Sequence, residues 1–144
     1  MNSRKSSWTD PALVPANPER LFVYGTLRPG MSNAHYLQGI QGTWIDAMIN
    51  AVHLPEGYGA TIGYPVLVPT AKGQAVHGQI LEAHFTKADW QMLDDFETDA
   101  YERVLLPVQT DQGAELLAWV YVLNAADAMT LRAERPQLFD PNAV

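Results

Sequence analysis

The sequence predicts an α+β domain: a small, mixed but mostly antiparallel and partly closed β-barrel with short helices on its outside. Three observations carry this. Five or six runs of β-branched and aromatic residues alternate or are bounded by turn residues. Two of them, Tyr101–Thr110 and Ala114–Leu123, are joined by Asp111-Gln-Gly113 as a hairpin. Helical patterning is confined to short segments, above all Thr86–Glu97.

Taken in order, Leu21–Tyr24 reads as a strand that runs into a turn built from Gly25, Pro29 and Gly30. A glycine-opened loop after a strand leaves N–H groups free to converge on an anion or a developing oxyanion. Gly25 and Gly30 have phosphate-loop spacing, and Ser32 would supply its hydroxyl. Met31, however, stands where that motif needs lysine, and Pro29 lacks an N–H, so a nucleotide site is disfavoured.

Ser32 is placed to cap a short helix ending near Leu37. Thr43–Leu54 is a strand whose imperfect alternation predicts a bulge or bend. Pro55–Gly63 is a loop with three glycines, and Tyr64–Val68 is a short strand. Gln74–Ala83 alternates, with Val76, Gly78 and Ile80 on one face. Thr86 and Asp89 form a shortened capping box at the start of the clearest helix. Asn124 caps a last helix from Ala125 to about Ala133, and Pro136 and Pro141 mark a loose tail. The domain boundaries expected are a flexible arm over 1–19, a folded domain over 20–135 and a tail over 136–144.

The chain has 144 residues, no cysteine and a formal net charge of −7. The length suits one domain with its own core. Absence of cysteine removes thiolate chemistry and disulfides. The acidic balance disfavours nucleic acid and anionic membrane as partners. Residues 1–19 carry Arg4, Lys5 and Pro11, Pro15 and Pro18 without an apolar run, so a soluble, cytoplasmic protein is expected. The oligomeric state is not legible.

Candidate chemistry concentrates at the end of the Thr86 helix. At about 100° per residue, Trp90, Met92, Leu93 and Phe96 define an apolar arc that contains Glu97, whereas Asp94 and Asp95 point away as a solvated face. A core-facing carboxylate at a helix C-terminus has its pKa raised by burial and by the helix dipole, which suits proton transfer near neutral pH. A helix ending one residue earlier would instead leave Glu97 in solvent. His35, His53, His77 and His84 have no metal-ligand spacing, no Gly-x-Ser-x-Gly elbow occurs, and adjacent Asp94 and Asp95 diverge too far to flank one glycosidic bond.

Phe22-Val-Tyr-Gly-Thr-Leu-Arg-Pro-Gly30, Gly63-Tyr-Pro65, Leu93-Asp-Asp-Phe-Glu97 and Tyr101-Glu-Arg103 occur in an order that resembles the gamma-glutamylcyclotransferase-like family over roughly residues 21 to 123. Each piece alone is weak, and the ordered set is specific. The resemblance implies a small mixed β-barrel and cyclisation of a γ-glutamyl group to 5-oxoproline with release of an amine or amino acid, without metal or organic cofactor. It implies Glu97 as general acid/base and the Tyr24, Gly25, Thr26 and Leu27 loop as anchor for the substrate α-carboxylate. Tyr64, Pro65 and Tyr101 would wall the pocket, and Arg103 would orient the acidic segment. The loop is nearer the gamma-glutamylamine cyclotransferase branch, and Thr98 departs from the glycine common after the catalytic glutamate. A binding module for a small carboxylate, with the same pocket and no turnover, is the competing reading. Retention of Glu97 speaks against it, because an anion binder gains nothing from a second negative charge.

Overall fold

A computed structural model describes residues 18–140, so residues 1–17 of the arm expected over 1–19 and the last four residues of the chain lie outside it. The order is β1 (Glu19–Val23), α1 (His35–Gln38), β2 (Gly42–Leu54), β3 (Val66–Pro69), β4 (Gln74–Ala83), α2 (Lys87–Glu97), β5 (Tyr101–Thr110), β6 (Glu115–Leu123) and α3 (Ala125–Glu134). The strands follow the order β3-β2-β4-β1-β6-β5, and β2 also pairs with β5. That last pairing closes a five-stranded barrel from β2, β4, β1, β6 and β5, with β3 attached to β2. Only β1 and β6 run parallel (Leu21 beside Trp119, Phe22 beside Val120), so the barrel is mixed but mostly antiparallel, as the sequence predicts.

Period-two alternation decides what fills it. Phe22 of β1, Ala47, Ile49 and Ala51 of β2, and Val76 and Ile80 of β4 share the interior with Val108 of β5 and Ala118, Val120 and Val122 of β6. Gly78 falls in the same inward row. A Cβ there would overlap the Val23 carbonyl oxygen and lie 2.8 Å from Phe22 Cζ, so the missing side chain is what lets the Phe22 ring cross the barrel. The β2–β4 pairing runs in unbroken register from Gly42 opposite Ala83 to Ala51 opposite Gln74, without the bulge expected in β2. The imperfect alternation arises because β2 meets two cores: Ala47, Ile49 and Ala51 face the interior, while Val52 and Leu54 join Val66, Val68 and Leu131 under α3.

Outside the barrel, Trp90 and Leu93 of α2 pack on Leu21, Val23, Leu81 and Tyr121. The Thr86–Asp89 capping box is present in both directions, and Asn124 caps α3 through the Asp127 N–H. Ser32 caps nothing: α1 begins at His35 after an uncapped Ala34 and has four residues. The expected tail also differs. Pro136–Leu138 forms a 3₁₀ turn and Phe139 is buried in the α3 core, so the folded unit continues past residue 135. At the other end the first strand starts at Glu19, inside the expected arm. No described helix is long and apolar enough to cross a membrane.

Candidate active site

β1 ends at Val23, and the chain leaves the barrel through a loop stabilised by its own hydrogen bonds. Arg28 N–H donates to Gly25 O at 3.2 Å, and Asn33 N–H donates to Thr26 O at 2.9 Å. Arg28 Nε also donates to Gly25 O (3.0 Å), and Asn33 Nδ2 donates to Thr26 Oγ1 (2.9 Å). Every carbonyl in that set is used, whereas the N–H groups of Gly25, Thr26 and Leu27 donate to no acceptor among the described residues. Three successive unpaired amides can serve as an anion cradle. The left-handed backbone that the turn requires is at Gly30 (φ +82°), not at Gly25. A Cβ at Gly25 would make only ordinary contact with Pro65 Cγ at 3.7 Å, so neither the turn nor the packing demands glycine there.

This loop opens on a cavity of about 380 Å³, within the usual range for small-molecule sites. The structure brings Tyr24, Gly25, Thr26, Leu27, Tyr64, Pro65, Glu97 and Tyr101 to its walls. Arg103 is not among the lining residues. Glu97 is the last residue of α2 and the only Asp or Glu among those lining the cavity. Burial raises its pKa from the ordinary 4.5 to about 7.

The chain turns sharply after Glu97. Thr98 N–H bonds Asp94 O at 2.9 Å, and Thr98 itself sits at φ +65°, ψ −176°, a region suited to glycine alone. It is the one non-glycine residue with positive φ among those described. Such backbone costs on the order of 1–3 kcal/mol, and a glycine would give back about 0.5–1 kcal/mol through unfolded-state entropy. Thr98→Gly is therefore expected to stabilise the fold by about 1 kcal/mol, read as a raised denaturant midpoint with unchanged slope.

Asp94 corrects the sequence reading. It is part-exposed, but its carboxylate is engaged rather than free. Arg103 clasps it with Nε on Oδ1 (2.8 Å) and Nη2 on Oδ2 (3.1 Å), and the Tyr121 hydroxyl donates to Oδ1 at 2.7 Å. The Arg103 hydrogen bonds hold its carboxyl below the ordinary value. The guanidinium stacks on the rings of Trp90 (4.3 Å) and Trp119 (4.8 Å). Asp95 is exposed and accepts from Gln91 Nε2. Met92, placed on the apolar arc by periodicity, is 36% exposed.

Sequence reasoning missed Tyr121, Phe96, Asn33, and Ala60 and Thr61 of the Pro55–Gly63 loop, all of which line the cavity. Asp127 near the start of α3 fastens that loop, accepting from Ala60 N–H at 3.0 Å, and a side chain at Gly59 would collide with the same carboxylate. No local signal marks these positions, because each reaches the cavity through tertiary packing. Among the described residues no group of three or more His, Asp or Glu side chains could hold a metal ion.

Comparison with known proteins bears on the family and the fold. Among solved structures, YkqA from Bacillus subtilis is 25% identical with a TM-score of 0.58, over 83% of this chain and 43% of its own. The present chain thus spans under half of that protein. An AIG2-like protein from Mus musculus is 28% identical with a TM-score of 0.53, over 74% of this chain and 77% of its own. An Arabidopsis thaliana protein at 18% identity and a TM-score of 0.58, over 87% of this chain and 88% of its own, speaks to the fold alone. No curated protein matches the sequence. The family model described as "Gamma-glutamyl cyclotransferase, AIG2-like" matches residues 21–138, well over half of the chain, and the protein belongs to that family.

Proposed function

We propose that the protein is a γ-glutamyl cyclotransferase that converts a small γ-glutamyl amine or peptide to 5-oxoproline and the free amine. The observation that carries the reading is the meeting, in one cavity, of three unpaired loop amides and one half-buried glutamate. An amide cradle suits the substrate α-carboxylate, and a carboxyl poised near neutrality suits proton transfer.

The chemistry asks little else of the protein. The α-amine attacks the γ-carbonyl carbon of its own side chain, the new C–N bond closes a five-membered ring, and the C–N bond to the leaving amine breaks. Glu97 takes the proton that the α-ammonium must lose and delivers it to the departing nitrogen, so charge and protons balance without redox change. Nucleophile and electrophile share a molecule, so fixing the reactive conformer supplies much of the rate. Tyr64, Pro65 and Tyr101 wall the substrate, Tyr64 from the solvent side, where it is 61% exposed. Arg103 acts at one remove through Asp94, three residues before Glu97 in the last turn of the helix. The gamma-glutamylamine branch and a cytoplasmic location are parts of the same proposal, and no metal or organic cofactor enters the scheme.

Incubation with a panel of γ-glutamyl amines, γ-glutamyl amino acids and γ-glutamyl-ε-lysine, read for 5-oxoproline, tests this. At least one member is expected to give 5-oxoproline and amine in equal amounts. Binding without turnover across the panel would leave only a carboxylate-binding module.

A further inference from the structure

Four tyrosines line the cavity, and three of them, Tyr24, Tyr101 and Tyr121, have their hydroxyl protons committed to the protein. Tyr24 donates to the Tyr121 carbonyl at 2.6 Å, Tyr101 to the Pro65 carbonyl at 2.8 Å, and Tyr121 to Asp94 Oδ1 at 2.7 Å. The direction of each bond is fixed by chemistry. A carbonyl oxygen can only accept, and Asp94, clasped by Arg103 through both oxygens, is a carboxylate and can only accept as well. A phenol oxygen whose single proton is spent presents only lone pairs elsewhere. All three phenols line the same cavity as Glu97.

From this convergence we infer that Asp94 is a positioning residue: by holding the Tyr121 proton it leaves the Tyr24, Tyr101 and Tyr121 oxygens as acceptors for the ammonium group that Glu97 serves. On the cyclotransferase reading, on which this identification of the ligand rests, that group is the substrate α-ammonium. Three acceptors and a carboxylate would orient its N–H bonds while the loop amides hold the neighbouring carboxylate. The Asp94 device has a matching construction. Arg103 supplies the charge that keeps Asp94 ionised, and stacking on Trp90 and Trp119 fixes Arg103 in turn. Loss of the Asp94 acceptor frees the Tyr121 O–H to rotate into the cavity, where it would point a proton at the ammonium.

The test compares L-glutamine with glutaramate, which differs from it only by lacking the α-ammonium, in calorimetric titrations against the full-length protein. The wild type is expected to prefer glutamine by about 10- to 100-fold, the range for charge-assisted hydrogen bonds. Tyr121→Phe and Asp94→Leu are each expected to cut that preference by about 3- to 10-fold, and the double variant by no more than the larger of the two. Asp94→Asn, which still offers an oxygen to Tyr121, is expected to retain the preference. Thermal melts confirm that each variant is folded. Equal affinity of the wild type for both probes, or no binding of either, would overturn the ammonium site. Effects of Asp94→Leu that are equal on both probes, or that add to those of Tyr121→Phe, would overturn the positioning role. A glutamine preference in a protein that forms no 5-oxoproline from any panel member would uphold this site and reject the cyclotransferase reading, so the two claims fail separately.

Discussion

Glu97→Gln is expected to lower the rate of 5-oxoproline release by about 10²–10⁴-fold, the usual worth of a positioned general acid/base, in a protein that folds normally. Glutamine has nearly the same volume, so no cavity is opened beside Leu93, which is 0% exposed. In the wild type the free carboxylate is the active form, and Glu97 loses its proton at about pH 7. The rate should therefore rise with pH through neutrality and level off above it, a limb the variant lacks. Stability moves the other way. Because the folded-state pKa lies above the unfolded value, Glu97 favours the fold below about pH 4.5, and that contribution is lost as pH rises through about 7. Glu97→Gln should melt close to wild type at pH 5 and above it at pH 8. A folded variant with wild-type turnover would remove Glu97 from the mechanism.

Phe22→Ala is expected to be the most destabilising single truncation, costing about 3–5 kcal/mol and lowering Tm by roughly 10–20 °C. The ring is 1% exposed, occupies the space left by Gly78, stacks with Tyr24 at 6.3 Å, and borders the cavity. Its loss would leave a void inside a closed barrel, where neighbouring strands are hydrogen-bonded on both sides and have little freedom to collapse. Turnover should suffer too, because Phe22 lies three residues before the amide cradle. Denaturant unfolding with a shifted midpoint and an unchanged slope is the check. A cost below about 1 kcal/mol would mean that the ring is not in the barrel interior.

The parts of this fold that depend on local periodicity were legible in the chain. β4 and β5 have the limits that alternation predicts, the α2 capping box is visible as Thr86 and Asp89, and the helical arc that turns Glu97 inward needs only its residues' spacing. Closure of the barrel was legible only as a tendency, since Ala47 and Met48 meet Thr110 and Gln109 across more than sixty residues. Asp94 shows the limit most clearly. An angular argument sees that it leaves the apolar arc, but not that Arg103 and Tyr121 arrive from β5 and β6 to meet it. Phe139 fails for a similar reason: proline at 136 reads as punctuation, while the 3₁₀ turn that it starts delivers the ring to the α3 core. Thr98 is the opposite case. The departure from glycine is visible in the sequence, and its backbone angles explain why glycine suits the position.

The central claim is that the loop amides and Glu97 hold two ends of one γ-glutamyl-derived molecule. Titration of ¹⁵N-labelled protein with 5-oxoproline, followed through backbone amide resonances, tests it most directly. The account predicts saturable shifts at Gly25, Thr26 and Leu27 together with Thr98 and Ala100 beside Glu97, all fitting a single Kd. Shifts confined to other surfaces, with Gly25–Leu27 unmoved at saturation, would contradict it.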